Sequence, residues 1–343
     1  MLRNTLYHVV LSYTRGPKLS LPLTAYTTIR PQRIPIINFS IRHKSSNMGS
    51  IEPDHEIKHS HEYRAITTHV STKPQPLSAA IDAFCEPAED KFMSTKNASE
   101  VEAQLWHAWK AVIAAATQTS HDSAGRQKLA DFVLELPNRP VLQHDSKVCK
   151  VWDAVVWKDL PVFGPAMREA WNAGKSSSHQ KTSMSLFDLK GLTSLPAATD
   201  SSHHHARTAW LNLNAFAATL VNTIHSRNLA ISPSGDFSLY AIWTIRMALE
   251  DHDAQQEKLD KTSLEAAAAW FAYAAPALWD FSSKGKEFEG KVAKQGGAMQ
   301  GKEWRGFGQE RWELWEQRLN ACGEDELVKK AREAVKAAKE GHA

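Results

Sequence analysis

The chain has 343 residues, 42% hydrophobic and 23% charged, which supplies enough apolar material for one large core or two smaller ones. Its formal net charge of +3 is too small to point to nucleic acid, and no stretch approaches the roughly eighteen apolar residues of a membrane span. Three widely spaced cysteines, Cys85, Cys149 and Cys322, fit neither a disulfide framework nor paired zinc ligands and are consistent with a reducing compartment.

All twelve tryptophans lie between Trp106 and Trp315. Large aromatic side chains mark where a core is built, so the folded domain is expected over residues 75–322. Ahead of it, residues 1–50 hold seven Lys or Arg and no Asp or Glu, with frequent Ser and Thr. That composition suits a mitochondrial transit peptide. Against it, Pro17, Pro22, Pro31 and Pro35 break any long amphipathic helix. The competing reading starts the protein at Met48 and leaves residues 1–47 as an extension without function; location is then cytoplasmic. His55, His59, His61 and His69 follow in a polar segment. Their spacing matches no zinc motif, and a solvated linker completing the 1–74 extension is expected.

Helical periodicity dominates the remainder. Leu77, Ile81 and Phe84 form a short face before Pro87. Ser99 is placed to cap a helix with Val101, Leu105, Trp109, Val112 and Ala116 on its inner face, and Asp122 to cap another with Leu129, Phe132, Val133 and Leu136. Pro165 opens a third, with Met167 and Trp171 inward, and Gly174 ends it. Residues 174–206 are rich in Ser, contain His203, His204 and His205, and are too poor in apolar groups to order throughout; they read as a surface insertion. Three consecutive His converge poorly on one ion, because adjacent helical residues diverge by about 100°.

Residues 207–225, RTAWLNLNAFAATLVNTIH, are apolar nearly all round and predict the central helix. Asn212 and Asn214 sit inside this run, and each is expected either to be hydrogen-bonded or to reach solvent. Phe237, Tyr240, Ala241, Ile245, Ala248 and Leu249 give the next face; Arg246 and Glu250 stand four apart and can pair, in the weaker order of Arg before Glu. An alanine-rich helix follows, kinked or ended by Pro276. Residues 284–311 carry seven glycines among Lys and Arg. Two partial phosphate-loop matches there fail, because Val292 and Glu303 stand where the Mg²⁺-binding hydroxyl is needed. A flexible cover is expected, and no cofactor. Trp312, Trp315 and Leu319 then share a face, and residues 323–343 form a charged amphipathic helix expected to be solvated. With no useful strand alternation and no repeat, the fold class is all-α, a single irregular domain of about eight to nine helices.

Several segments in order, VWDAVVWKDLPVFGPAMREAW, WLNLNAFAATL, YAIWTIRMALE, AAAAWFAYAAPALW and MQGKEWRGFGQERWELW, together resemble a large fungal family of uncharacterised proteins that carries a domain of unknown function. The likeness covers roughly residues 99–320 and implies a helical fold. It implies no activity, substrate or catalytic residue.

Two functional readings follow. One is a non-catalytic binding or scaffolding module whose partner is a protein or a small molecule, not nucleic acid. The other is an enzyme or small-molecule binder with a pocket beside the Trp210–Ile224 helix, lined by Trp210, Asn214, Arg246, Glu250, Arg311 and Trp312, since polar groups set in apolar walls orient ligands. The second predicts Asn214 and Arg246 on one cavity wall.

Overall fold

A computed structural model describes residues 55–71, 73–172, 201–230, 232, 235–251 and 261–341. The targeting question at residues 1–47 and most of the Ser/His insertion lie outside them. Eleven α-helices run in the order α1 (His55–Lys58), α2 (His61–Val70), α3 (Leu77–Thr95), α4 (Ala98–Gln118), α5 (Ala124–Glu135), α6 (Phe163–Asn172), α7 (Ser201–Ser226), α8 (Ser238–Leu249), α9 (Lys261–Ser283), α10 (Gln309–Asn320) and α11 (Glu326–Glu340). The expected eight to nine helices fall within α3–α11. Two antiparallel hairpins, β1–β2 (Gln143–His144, Lys147–Val148) and β3–β4 (Lys150–Val151, Ala154–Val155), are the ladders among the described residues, each only two residues long.

The central helix is α7, and its neighbours explain why it is apolar all round. It packs against α4 and α5 on one side and α8 and α9 on the other. α4 in turn gathers α1, α2, α3 and α6, while α9 gathers α8, α10 and α11. Seven tryptophans, Trp109, Trp157, Trp171, Trp210, Trp270, Trp312 and Trp315, are among the largest fully buried side chains. Two of them tie irregular chain to this frame. Trp109 stacks on Phe163 with centroids 4.3 Å apart and donates its indole N–H to the Pro161 carbonyl at 2.8 Å. Trp157 donates to Glu89 at 3.0 Å, beside the two-pronged contact from Arg139 to the same carboxylate. All described residues fall in the unit Ser46–Ala343.

Several boundaries differ from expectation. The His-rich segment is not a solvated linker: α1 and α2 bury Ile57, Ala65 and Ile66, and α2 packs on α3, α4 and α5. Ser60 caps α2 by accepting from the Tyr63 N–H, and His69 ties to the Gln75 carbonyl at 3.1 Å. α3 runs through Pro87 to Thr95, because Phe84, Ala88 and Phe92 continue one buried stripe whose burial outweighs the lost backbone bond. α9 likewise passes Pro276. Asn97, not Ser99, caps α4 by accepting from the Ser99 N–H at 3.0 Å; Asp122 bonds the Ser120 hydroxyl and leaves α5 uncapped by any side chain. Residues 201–206, placed in the insertion by composition, form the start of α7, with Ala206 buried. The terminal helix is docked, not solvated: α11 buries Leu327, Val328, Ala331, Val335 and Ala338 and packs along α9.

α2 also carries a deeply buried acid. Glu62 is 2% exposed, accepts from Gln104 at 2.5 Å and lies 3.6 Å from the His107 imidazole. Burial opposes the Glu62 charge, but His107 and Gln104 overcome it and hold the carboxyl below its usual range; Glu62 raises His107. The lowered acid contributes stability that is fully present above 4.5 and lost as pH falls through its folded value. The raised imidazole contributes stability that is fully present below 6.5 and lost as pH rises through its folded value. Thermal melts of wild type and His107→Phe across pH are therefore expected to differ most between 4.5 and 6.5 and to converge on both sides. A pH-independent difference would remove the ion pair from the account.

Candidate functional site

The six predicted pocket residues fall into separate internal networks. Asn214 is completely buried on α7. Its amide nitrogen donates to the Trp210 carbonyl at 2.9 Å, and its oxygen accepts from the Thr244 hydroxyl on α8 and the Trp270 indole on α9, each at 2.9 Å. One side chain thus joins three helices. Trp210 turns toward Trp171, with ring centroids 4.5 Å apart, and Trp171 packs on Tyr240 at 4.7 Å.

Glu250 and Arg311 meet in a second network. Both are 0% exposed. The guanidinium grips the carboxylate through Nε at 2.7 Å and Nη2 at 3.0 Å. Its other N–H groups reach the carbonyls of Ala293 and Gly306, both at 2.8 Å, and Lys294 at 3.3 Å. Glu250 also accepts from the Trp315 indole at 2.6 Å and the Gly296 N–H at 2.9 Å. Every N–H of Arg311 and both oxygens of Glu250 are used.

Arg246 is not the partner of Glu250. Glu250 lies just past the end of α8, with φ of −127°, so its carboxylate leaves the helical i, i+4 geometry and turns to α10. Arg246 instead donates to the Lys294 carbonyl at 3.2 Å. Nor do Arg246 and Asn214 share a wall. Thr244 faces Asn214, and residues two apart on a helix point about 200° apart. Trp312 packs on Trp279 and Phe271, at 5.4 and 5.8 Å, within the core.

These bonds also fix the glycine-rich stretch, which is a strap and not a flexible cover. The Phe288 N–H bonds the Arg305 carbonyl at 3.0 Å and the Phe307 N–H bonds that of Lys286 at 2.8 Å, closing the strap on itself. A side chain at Gly306 would place Cβ 2.1 Å from the Lys286 oxygen, and one at Gly296 would meet Glu250 at 2.5 Å. Close backbone approach is what those two glycines permit.

A third cluster was not foreseen. It lies where the α4–α5 turn meets α7, α9 and α11. Asn212 on α7 accepts from the His121 N–H at 2.9 Å and donates to the Thr117 carbonyl at 2.9 Å, so it seals the end of α4 and sets the turn. His121 Nδ1 then lies 3.0 Å from the Tyr273 hydroxyl. Burial, assisted by Arg126 and Lys330 against Asp122, holds His121 below its usual value, and burial raises Tyr273. The ring and the phenol thus share one hydrogen bond. Arg126 lies over the Tyr273 ring, with Cζ 3.7 Å from its centroid, and Lys330 Nζ is 4.6 Å from the same centroid. The four side chains are separated by up to 209 positions, from His121 to Lys330, and no local motif signals them. Among the described residues no three His, Cys, Asp or Glu side chains are grouped to hold a metal, and no helix is long and apolar enough to cross a membrane.

The sequence matches a family described as a protein of unknown function, DUF3632, over residues 109–319, more than half of the chain. The chain belongs to the DUF3632 family. No curated protein and no solved structure matches it. The DUF3632 match begins at Trp109 in α4 and ends at Leu319 in α10. It takes in the Asn214 and Glu250–Arg311 networks and, of the third cluster, His121, Arg126 and Tyr273. Lys330, on α11, lies beyond it.

Proposed function

We propose that this DUF3632 protein is a non-catalytic binding or scaffolding module. The observation that supports this reading is how the polar groups of its core are used. Asn214, Glu250 and Arg311, the groups best suited to line a pocket beside α7, direct their bonds to neighbouring helices and to the strap. Burial pushes the Cys149 thiol up to about 11 and raises Cys85 as well, which makes both poor nucleophiles. A partner that is a protein or small molecule suits the mixed surface charge better than nucleic acid does, and three free cysteines suit the cytoplasm.

A thermal-shift screen of the full chain against metabolites grouped by charge tests the reading, because a ligand that binds only the folded state raises the melting temperature by mass action. At least one group is expected to raise it, and the compound is expected back chemically unchanged after prolonged incubation. Conversion of the compound would overturn the non-catalytic reading. A flat response would move the partner from small molecule to protein.

A further inference from the structure

Arg126 is placed against several ordinary preferences at once. It stands in the first turn of α5, at the positive end of the helix dipole, where a cation is disfavoured. No side chain caps that end: the Ser123 hydroxyl turns back to the Ser120 carbonyl at 2.8 Å. Arg126 Nε and Nη1 are buried and donate to no acceptor among the described residues. Burying guanidinium N–H groups without acceptors is costly, and stacking on Tyr273 offsets only part of that cost.

The nearby carboxylates offset the charge only in part. Asp122 is held by the Ser120 hydroxyl at 2.5 Å. Glu265 is held by Arg207 through two bonds of 2.8 and 2.5 Å. Lys330 adds a second cation on the same ring; it is exposed and forms no ion pair among the described residues. Arg126, His121 and Tyr273 are each half-buried, and Lys330 beside them is exposed. Two cations and a phenol thus converge near the surface, with the exposed Asp122 carboxylate offsetting them only in part.

We propose that Arg126, Lys330 and the Tyr273–His121 pair form a binding site for the oxyanion group, carboxylate or phosphate, of a small acidic molecule. Charge-assisted bonds from a guanidinium are the strongest available to such a group, and Lys330 adds a mobile point charge at the rim. Asn212 is a positioning residue: it fixes the turn that carries His121. The proposal rests on the binding-module reading and gives that reading a ligand class.

The test titrates inorganic phosphate, and separately acetate, into the full-length protein by calorimetry, with sodium chloride at matched ionic strength as the blank. Saturable binding of at least one anion is expected, and which one saturates identifies the oxyanion. Arg126→Gln is expected to weaken it about tenfold or more. Lys330→Gln, at an exposed position that cannot endanger the core, should weaken it several-fold, and the neighbouring exposed Lys329→Gln should not. Asp122→Asn, which removes a competing carboxylate, should tighten it. No saturation beyond the chloride blank, or equal affinity in wild type and both cation variants, would overturn the site. The two readings fail separately. A metabolite that binds while neither phosphate nor acetate saturates leaves the binding module standing and removes this site. An acid bound through Arg126 but converted leaves the site standing and removes the non-catalytic reading.

Discussion

Replacing Arg311 with methionine is expected to lower the unfolding free energy by about 3–5 kcal/mol, the range seen when one partner of a buried ion pair is removed. The reason lies in what stays behind. Glu250 is fully buried, and with the guanidinium gone its carboxylate keeps only the Trp315 indole and the Gly296 amide. The carbonyls of Ala293 and Gly306 lose their donor in the same step. The strap between α9 and α10 is then held to the end of α8 by fewer bonds, so amide hydrogen exchange should rise first over residues 293–306. Urea denaturation of wild type and Arg311→Met measures the loss. The double variant Glu250→Gln with Arg311→Met should recover part of it, because the charge itself has been removed. A loss below about 1 kcal/mol for the single variant would mean that the pair is not the clamp, since exposed ion pairs contribute that little.

The same pair shows where reading the sequence succeeded and where it stopped. Glu250 and Arg311 were both legible as unusual charges among apolar helices. Their pairing was not, because the i, i+4 rule that joins Glu250 to Arg246 holds only inside a helix, and Glu250 stands just beyond one. The central position of α7 was legible, because an apolar periphery needs neighbours on every side. The membership of α2 was not. Its apolar residues are sparse, and its buried polar groups, Glu62 and His69, are satisfied by Gln104 and Gln75 on other segments. Composition registers the polar groups and cannot register their partners. The two hairpins escaped for another reason. Both turn through left-handed pairs, Asp145–Ser146 and Trp152–Asp153, and neither carries the glycine that announces such turns. The Tyr273 cluster draws on five separate elements, so only the fold could assemble it.

Replacing Asn214 with leucine separates a structural from a ligand-binding asparagine. The side chains are close in volume, so packing is nearly conserved and the change acts through hydrogen bonds. The shared oxygen acceptor disappears, leaving the Thr244 hydroxyl and the Trp270 indole N–H without a partner, both at 0% exposure. Stranding buried donors costs about 1–3 kcal/mol apiece. After the gain from a buried apolar side chain, the expected destabilisation is about 2–4 kcal/mol, read from urea unfolding curves. Thr244→Val is expected to be milder, since it removes one donor and leaves the Asn214–Trp270 bond intact. In the combination Asn214→Leu with Thr244→Val the stranded hydroxyl is gone, so its cost should be less than the sum of the two single changes, the sign of a direct interaction in a double-mutant cycle. Strict additivity would dissolve the link between α7 and α8. Near-neutral stability of Asn214→Leu with loss of a ligand found in the metabolite screen would return Asn214 to a pocket wall. The anion affinity of the Arg126 site should be unchanged in Asn214→Leu and reduced in Asn212→Leu, because Asn212, two positions away and turned to the opposite side of α7, is the asparagine that holds the His121 turn.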